Sequence, residues 1–537
     1  MSQPIEMQRY AKYLIHGSLF YLLLPYLIFF IGMLKWPIAL LMTICALVGA
    51  MACSRAVAAP IPEERASCSR WFWVTLFFVV ACCLLISGIG GYGYQDHDWF
   101  KHNAILSALI ESPWPLSYTF KIDGTPTPFP LVYYIAYYLP AAVIGKLFGW
   151  FWANQALWVW TFFGVWLSLS WFALLAKRFE WRTLAVFFAF SGFDVLGIIW
   201  VRAFFLNQPL YISQWTHIER WSGNWEYQSF ISLMFWVPNQ AIIGWIGSGL
   251  VFYALLNSSR KTPLLFFLAL TALWSPFLTV GLFPFLLGDL LSERASLWAK
   301  IRSYISVANL CGGALLLLCA LFYASRSADS PIMLEKIANG FIFFHPLVPN
   351  LPWQDTLNLL LLFWSLECGA YVFLIFVSHR LLTSKEKQLF LVSAVVLTVL
   401  PLFRYGYWND LMMRASIPSL FIFCLLTCKV LFHSSSKRWV IVLLVMTLGI
   451  GSLNGMIEVR RHLKKIAEAG ELVRLPKPHP LYHAPDTSVN PSFFSQYVGD
   501  ADSLFFRKFA KPLLLTPPEL TIEDIRPVSA DIQGGNQ

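Results

Sequence analysis

Charge is what this sequence has least of: Asp, Glu, Lys and Arg make up 13% of its 537 residues. Soluble domains carry about a quarter of their residues charged, so a string of water-facing domains is excluded. A cysteine framework is also missing. The ten cysteines fall in apolar runs or in the basic loop around Cys53 and Cys68. None lies in the long polar loops or the tail, so neither a disulfide scaffold nor metal-ligand spacing is implied. The sequence has no internal repeat and no low-complexity tract. The first apolar run, Leu14 to Met33, is followed by Lys35-Trp36-Pro37 rather than a small-residue cleavage site, so it is expected to stay in place as a helix.

What is present is apolar. Hydrophobic residues reach 58%, aromatics 17%, and the mean hydropathy is +0.61. Runs of roughly 18–25 apolar residues recur along the chain, as membrane-spanning helices require. The spans expected are 14–33, 37–53, 71–90, 155–175, 183–201, 240–257, 263–291, 304–323, 356–378, 388–403, 415–432 and 439–457. Between them, short loops carry Arg55, Arg65, Arg70, Lys177, Arg178, Arg182, Arg260, Lys261, Arg294, Lys300, Arg302, Arg380, Lys385, Lys387, Lys437 and Arg438. By the positive-inside rule these loops are cytoplasmic, as is the amino terminus with Arg9 and Lys12. The net charge of +10 is thus a matter of membrane orientation, and no nucleic-acid partner is expected.

Two stretches refine the topology. Residues 131–148 follow Pro126, Pro128 and Pro130 and contain Tyr133, Tyr134, Tyr137 and Tyr138. Such aromatic density suits a membrane interface, so an interfacial helix on the outer surface is expected there. The 263–291 segment is flanked by basic loops, so it must cross an even number of times; Trp274-Ser-Pro276 would turn it into a short helical hairpin. The expectation is an all-α polytopic membrane protein with about 13 membrane segments, the carboxyl tail lying outside. Its regions are an N-terminal helical hairpin with a basic loop (1–70), a membrane domain (71–457) whose first outer loop is 91–150, and a polar, proline-containing tail (458–537). The long loops 91–150, 202–239, 324–355 and 404–414 share the tail's face.

Against this scarcity of charge, one stretch is dense: Tyr94-Gln-Asp-His-Asp98-Trp-Phe-Lys-His102, directly after an apolar run. Asp96 and Asp98, two apart on an extended segment, would point the same way. They could jointly hold a divalent cation, Mg or Mn, or one could act as a base while the other orients a hydroxyl. The competing reading is a solvated loop in which Asp98 caps a helix starting at Trp99. Lys101 and His102 would share a helix face with Asp98, to pair with it or to contact a phosphate.

Four further candidates follow. Asp194 and Glu367 are carboxylates inside apolar helices, functional by default or else satisfied by neighbouring hydroxyls. The loop Trp215-Thr-His-Ile-Glu-Arg-Trp-Ser-Gly-Asn-Trp-Glu226 interleaves indoles with His217, Glu219, Arg220 and Glu226, which suits a sugar or a plain interface anchor equally. Phe403-Arg-Tyr-Gly-Tyr-Trp-Asn-Asp410-Leu-Met-Met-Arg414 offers Arg404 and Arg414 to a phosphate, with an Asp410–Arg414 pair at i,i+4 as the structural alternative.

In this arrangement the chain resembles the GT-C superfamily, integral-membrane glycosyltransferases that use polyprenyl-phosphate-linked sugars. The resemblance rests on Asp96-His97-Asp98 in a first outer loop, the proline-led segment Pro126 to Gly149, and the Leu268 to Leu278 hairpin, roughly residues 71–300. Two helices precede the acidic loop where those enzymes commonly have one, and the tail is short for their outer domain. The resemblance implies a sugar moved from a polyprenyl-phosphate donor to a hydroxyl of a lipid, glycan or protein, with inversion. Asp96 or Asp98 would be the base, and Arg404, Arg414 and Lys101 would stabilise the departing phosphate. The alternatives are a transporter or flippase of a lipid-linked or anionic substrate working through Asp194 and Glu367, an oligosaccharide polymerase or ligase, and a non-catalytic scaffold. The absence of a targeting extension fits a bacterial inner membrane.

Overall fold

The computed structural model describes residues 2–57, 65–205, 217–223, 225–257, 263–291, 297–326, 339–344, 352–406, 408–475, 478–483, 491–516, 520–521 and 524. Trp215, Arg260, Lys261, Arg294, Tyr407, Pro476, Pro517 and Pro518 lie outside them, as does most of the expected loop 324–355.

Nine of the described helices are long and apolar enough to cross a membrane: Met7–Met33, Trp36–Ala56, Trp150–Leu175, Trp181–Phe204, Pro238–Leu256, Val307–Ala324, Trp353–Val377, Asp410–Phe432 and Arg438–Ala469. The protein is an integral, multi-pass membrane protein. Shorter apolar helices, Arg70–Ile86 and Pro276–Leu291 among them, complete the bundle. The 263–291 segment is two helices, Leu264–Ala272 and Pro276–Leu291, broken at Leu273-Trp274-Ser275, where Pro276 starts the second. Trp274 is fixed at this break by a hydrogen bond to the Leu22 carbonyl and by stacking on Tyr21.

The loops that carry the polar sequences meet at one end of the bundle. Gly93 donates to the Leu472 carbonyl, Asp500 to Ser325, Lys511 to Met33, and Ile342 to Leu402. The glycine-rich exit at the end of Arg70–Ile86 makes this possible. Gly88, Gly90, Gly91 and Gly93 all take positive φ, which L side chains rarely adopt. The chain reverses within a few residues and delivers Asp96 back against the bundle.

The all-α expectation needs correction, since the described residues, though mostly helical, include three two-stranded antiparallel sheets. The proline-rich lead is itself a strand: Thr125–Pro130 pairs with Ser117–Ile122 around a turn at Asp123-Gly124. Pro126, Pro128 and Pro130 share one parity. The odd-numbered Leu131 donates to Leu116, so the missing N–H groups of the prolines face away from the ladder. The tail docks beside both strands, with Gly499 donating to Pro130, Val132 to Tyr497, and Lys121 to Leu520.

The interfacial expectation for 131–148 also changes. Only Leu139–Phe148 is helical, and Tyr133, Tyr137 and Tyr138 are buried in the core rather than lying along a lipid boundary. Finally, the last helix does not stop at 457. Arg438–Ala469 has 32 residues, about 48 Å at 1.5 Å per residue, against a hydrocarbon core of about 30 Å. It ends at Gly470 in the left-handed conformation. Its last turns therefore stand among the loops and carry Glu458, Arg461 and His462.

Candidate functional site

Asp96, not Asp98, caps the helix of the first loop. That helix is His97–Glu111, and Asp96 Oδ1 accepts from the Asp98 N–H at 3.1 Å. The expected helix start at Trp99 is two residues late, because an extended Asp is a better cap than the histidine after it. The two carboxylates thus do not share a strand face. Asp98 sits in the first helical turn and pairs with Lys101 Nζ at 3.3 Å. Arg461, from the last helix, approaches Asp96 Oδ2 at 3.7 Å.

The two acids have opposite electrostatics. Burial raises the Asp96 carboxyl well above the usual range, and the neighbouring Asp98 charge adds to it. Burial also acts against ionised Asp98, but the positive charges of Lys101 and Arg414 oppose it, and that carboxyl is held below its ordinary value. Arg414 therefore lies within electrostatic reach of Asp98, although far from it in sequence. Its guanidinium donates to Gln228 Oε1 at 2.6 Å and stands 3.9 Å from Asp410.

His102 is not a phosphate contact. Its Nε2 donates to the Trp236 carbonyl at 3.0 Å, and its Nδ1 is hydrogen-bonded to the Tyr138 hydroxyl, from which it accepts when the ring is neutral. The ring is neutral, and burial pushes its pKa down to about 4. It braces the first loop against the bundle, as does Trp99, which donates to Phe235.

His217 is the converse. Its two ring nitrogens face Glu226 at 3.2 Å and Glu458 at 3.3 Å. Each nitrogen must donate, so the ring is an imidazolium. Burial alone would lower its pKa, yet these carboxylates raise it well above the ordinary value. Glu226 is driven down to about 2: His217, Arg220 and Arg414 overcome the effect of its burial. Arg220 pairs with Glu226 at 3.3 Å and stacks on Trp408 with its guanidinium 4.2 Å from the ring centre. Glu458 binds Arg461 at 2.8 Å, and Arg461 in turn lies over Trp236. His217, Glu219 and Glu226 offer ligand atoms within 4.8 Å of one another. In the protonation state described above, both ring nitrogens of His217 donate to carboxylates, so a metal ion there would have to displace a proton from the ring.

Glu219 turns inward. Its Oε1 accepts from Ser229 N and Ser232 Oγ, both at 2.9 Å, securing the start of Phe230–Trp236. Burial, reinforced by the nearby Asp194, raises it to about 8. Asp194 is hydrogen-bonded by Asn454, and its carboxyl meets that of Glu367, which also accepts from Trp221 Nε1 at 2.9 Å. Glu367 is thus tied to the same loop cluster, contrary to its expected isolation. Arg404 lies on the short strand Phe403–Arg404, paired with Gly340–Phe341.

The structure therefore links Asp96, Asp98, Lys101, His217, Glu219, Arg220, Asp410, Arg414 and Asp194 into one polar neighbourhood. Sequence reasoning missed Gln228, Asn454, Glu458, Arg461 and His462. A signal for the last three was present: Glu458, Arg461 and His462 lie at i, i+3 and i+4, continuing the last helix toward Gly470. The donor set around Asp96 and Asp98 fits a divalent cation poorly, since Asp96 is taken up by its cap and Arg461, and Asp98 by Lys101. No protein-family model matches this chain, and no curated protein matches its sequence significantly.

Proposed function

We propose that the protein is an inverting membrane glycosyltransferase that moves a sugar from a polyprenyl-phosphate donor to an acceptor hydroxyl on a lipid, glycan or protein. The observation that carries this reading is the meeting of an ionised, partly accessible Asp98 with Lys101 and Arg414 at the loop end of an apolar bundle. A carboxylate and two cations in one place are what such a transfer needs. The acceptor hydroxyl must lose a proton as it attacks the anomeric carbon, and the departing lipid phosphate gains negative charge.

Asp98 is the base in this reading. Its side chain is 26% exposed, whereas that of Asp96 is fully buried and engaged. Asp96 positions the helix start and Arg461. Lys101 and Arg414 receive the phosphate, and Arg220, stacked on Trp408, lines the same approach. In the topology that goes with this function, the loop end is extracytoplasmic, the amino terminus is cytoplasmic, and a bacterial inner membrane is the setting. The spans number about thirteen, counting the short hairpin, in a GT-C-like arrangement.

The test uses full-length protein in lipid nanodiscs with polyprenyl phosphates carrying a labelled hexose or pentose and extracted membrane lipids as acceptors. Free polyprenyl phosphate is the product measured. Asp98→Asn should lower its release by about 10²–10⁴-fold, the usual worth of a general base, with donor still bound. A wild-type rate in Asp98→Asn would end the proposal. A transporter would instead move substrate across proteoliposomes without releasing lipid phosphate. That rival is favoured by one specific observation, the paired breaks around Asp194 and Glu367.

A further inference from the structure

Two helices long enough to cross the membrane are broken at the same level, and the breaks face each other. Trp181–Phe204 loses its helical conformation at Phe190–Phe193, and Trp353–Val377 widens into a π-helical turn at Ser365–Gly369. They are joined by the Phe193 N–H donating to the Leu366 carbonyl at 3.0 Å, while the Tyr371 hydroxyl donates to the Ser191 carbonyl at 3.0 Å. Broken helices within a membrane-spanning bundle are tolerated where protein encloses them, and they commonly build ion sites from the freed groups. Two glycines permit the close approach. A Cβ at Gly192 would collide with the Glu367 carboxylate, and one at Gly451 with the Ser191 carbonyl.

The side chains here are all oxygen donors. Asp194 and Glu367 hydrogen-bond each other, and Asn454 donates to both Asp194 and Ser191. Asp194, Glu367 and Asn454 are 0%, 2% and 1% exposed. Yet Asp194 Oδ1 and Glu367 Oε2 have no hydrogen-bond partner beyond what the two acids give each other, and the Asn454 amide oxygen has no hydrogen-bond donor. The amide oxygen is an independent sign, because a neutral acceptor beside two acids gains nothing from carboxyl pairing and is left with an unsatisfied lone pair. Among the described residues, no Lys, Arg or His forms an ion pair with Asp194 or Glu367.

We infer that Asp194, Glu367 and Asn454 form a buried site for one hard divalent cation, separate from the aspartates of the first loop. Charge selects the class of ion. A net charge at this depth is costly, and two carboxylates are neutralised by a dication but not by Na⁺ or K⁺. Oxygen-only ligands select Mg²⁺ or Ca²⁺ over softer metals. Toward the loop end, Glu458 lies one helical turn from Asn454, and Glu219 is close enough to Asp194 for the two charges to interact. The site would order the two breaks, and it belongs to neither the base nor the phosphate contacts proposed above.

Full-length protein in zwitterionic nanodiscs, stripped with EDTA, is dialysed against MgCl2 or CaCl2, with choline chloride as control. The expected result is about one ion bound per chain, with a rise in unfolding temperature of at least about 2 °C. Asp194→Asn and Glu367→Gln should each lose the ion, while the double variant Asp96→Asn/Asp98→Asn keeps it. Should neutralising an acid prevent folding, Asn454→Leu removes only the neutral oxygen and should weaken binding at least about tenfold. A wild-type chain that binds neither ion, or that responds equally to NaCl, overturns the inference. So does binding that survives in Asp194→Asn and Asn454→Leu, or that vanishes in Asp96→Asn/Asp98→Asn. None of these readouts depends on turnover, so they stand or fall apart from the transferase reading.

Discussion

Two clusters of acids in this protein are treated in opposite ways. At the loop end four acids have a cation each or more, Glu219 being the exception: Asp98 has Lys101, Asp96 has Arg461, Glu226 has His217 and Arg220, and Glu458 has His217 and Arg461. One helical turn deeper, Asp194 and Glu367 have only each other, an amide and an indole. The difference shows what each cluster can do. Paired charges hold loops in register and keep a carboxylate ionised for chemistry. A cation-free carboxyl pair stays neutral only by holding protons or a metal ion.

The largest expected effect lies in the paired cluster. Asp98→Asn should lower turnover by about 10³-fold, equivalent to about 4 kcal/mol, with an unfolding temperature close to wild type. Equal loss from Asp194→Asn, with Asp98→Asn active, would reverse the roles of the two regions.

Stability should divide the clusters next. Glu458→Gln strands the buried His217 and Arg461 charges and should cost about 3–5 kcal/mol in chemical unfolding. Glu367→Gln strands no cation. In EDTA it should cost less than about 1 kcal/mol, since an amide can replace a protonated carboxyl in its hydrogen bonds. Similar costs for the two variants would erase the distinction.

A third comparison lies between two histidines. His102 is neutral in the fold, with its pKa lowered from 6.5 to about 4. The unfolded chain binds its proton first, so the contribution of His102 is complete above about pH 6.5 and lost as pH falls toward 4. It amounts to about 3 kcal/mol. His217 has a raised pKa, so its contribution is present below about pH 6.5 and lost as pH rises through the folded value. Unfolding temperatures of His102→Gln should therefore fall less steeply than wild type below about pH 6.5, and those of His217→Gln less steeply above it. Parallel curves would refute the protonation states assigned here.

The smallest effect concerns catalysis itself. Because Asp98 titrates below its ordinary value, kcat/KM should show no acid limb from this group between about pH 5 and 8. An apparent pKa near neutrality in that range, abolished by Asp96→Asn, would shift the role of base to Asp96.

Much of the fold was legible in the sequence because lipid imposes a simple rule: backbone groups must be satisfied within helices, so apolar length marks a span. Most of the expected apolar runs fall on the nine long apolar helices, while 71–90 and 388–403 do not, and the basic loops flanking 263–291 pointed to the break at Trp274-Ser-Pro276. The rule failed where a different force decides. The tyrosines of 131–148 are as amphipathic as interface anchors, and tertiary contacts bury them: Tyr133 against Tyr497, Tyr137 against Thr161 and Tyr138 against His102. The last helix continues past its apolar part because Glu458 and Arg461 pair along it, which a hydropathy reading ends too early. The prolines after Thr125 read as a breaker, yet their shared parity lets them form an edge strand.

The sequence by itself determined that this chain lives in a membrane, that its charge collects in loops, and that Asp96 and Asp98 stand at a helix exit. Apolar runs, basic loops and a glycine-rich turn are local, and local chemistry is written in order along the chain. Tertiary structure decided the rest. Burial and neighbours, some of them distant in sequence, raised the Asp96 carboxyl and lowered that of Asp98, raised His217 and lowered His102, and set Glu367 against Asp194. A protonation state is a property of neighbours, and neighbours are fixed only when the chain has folded.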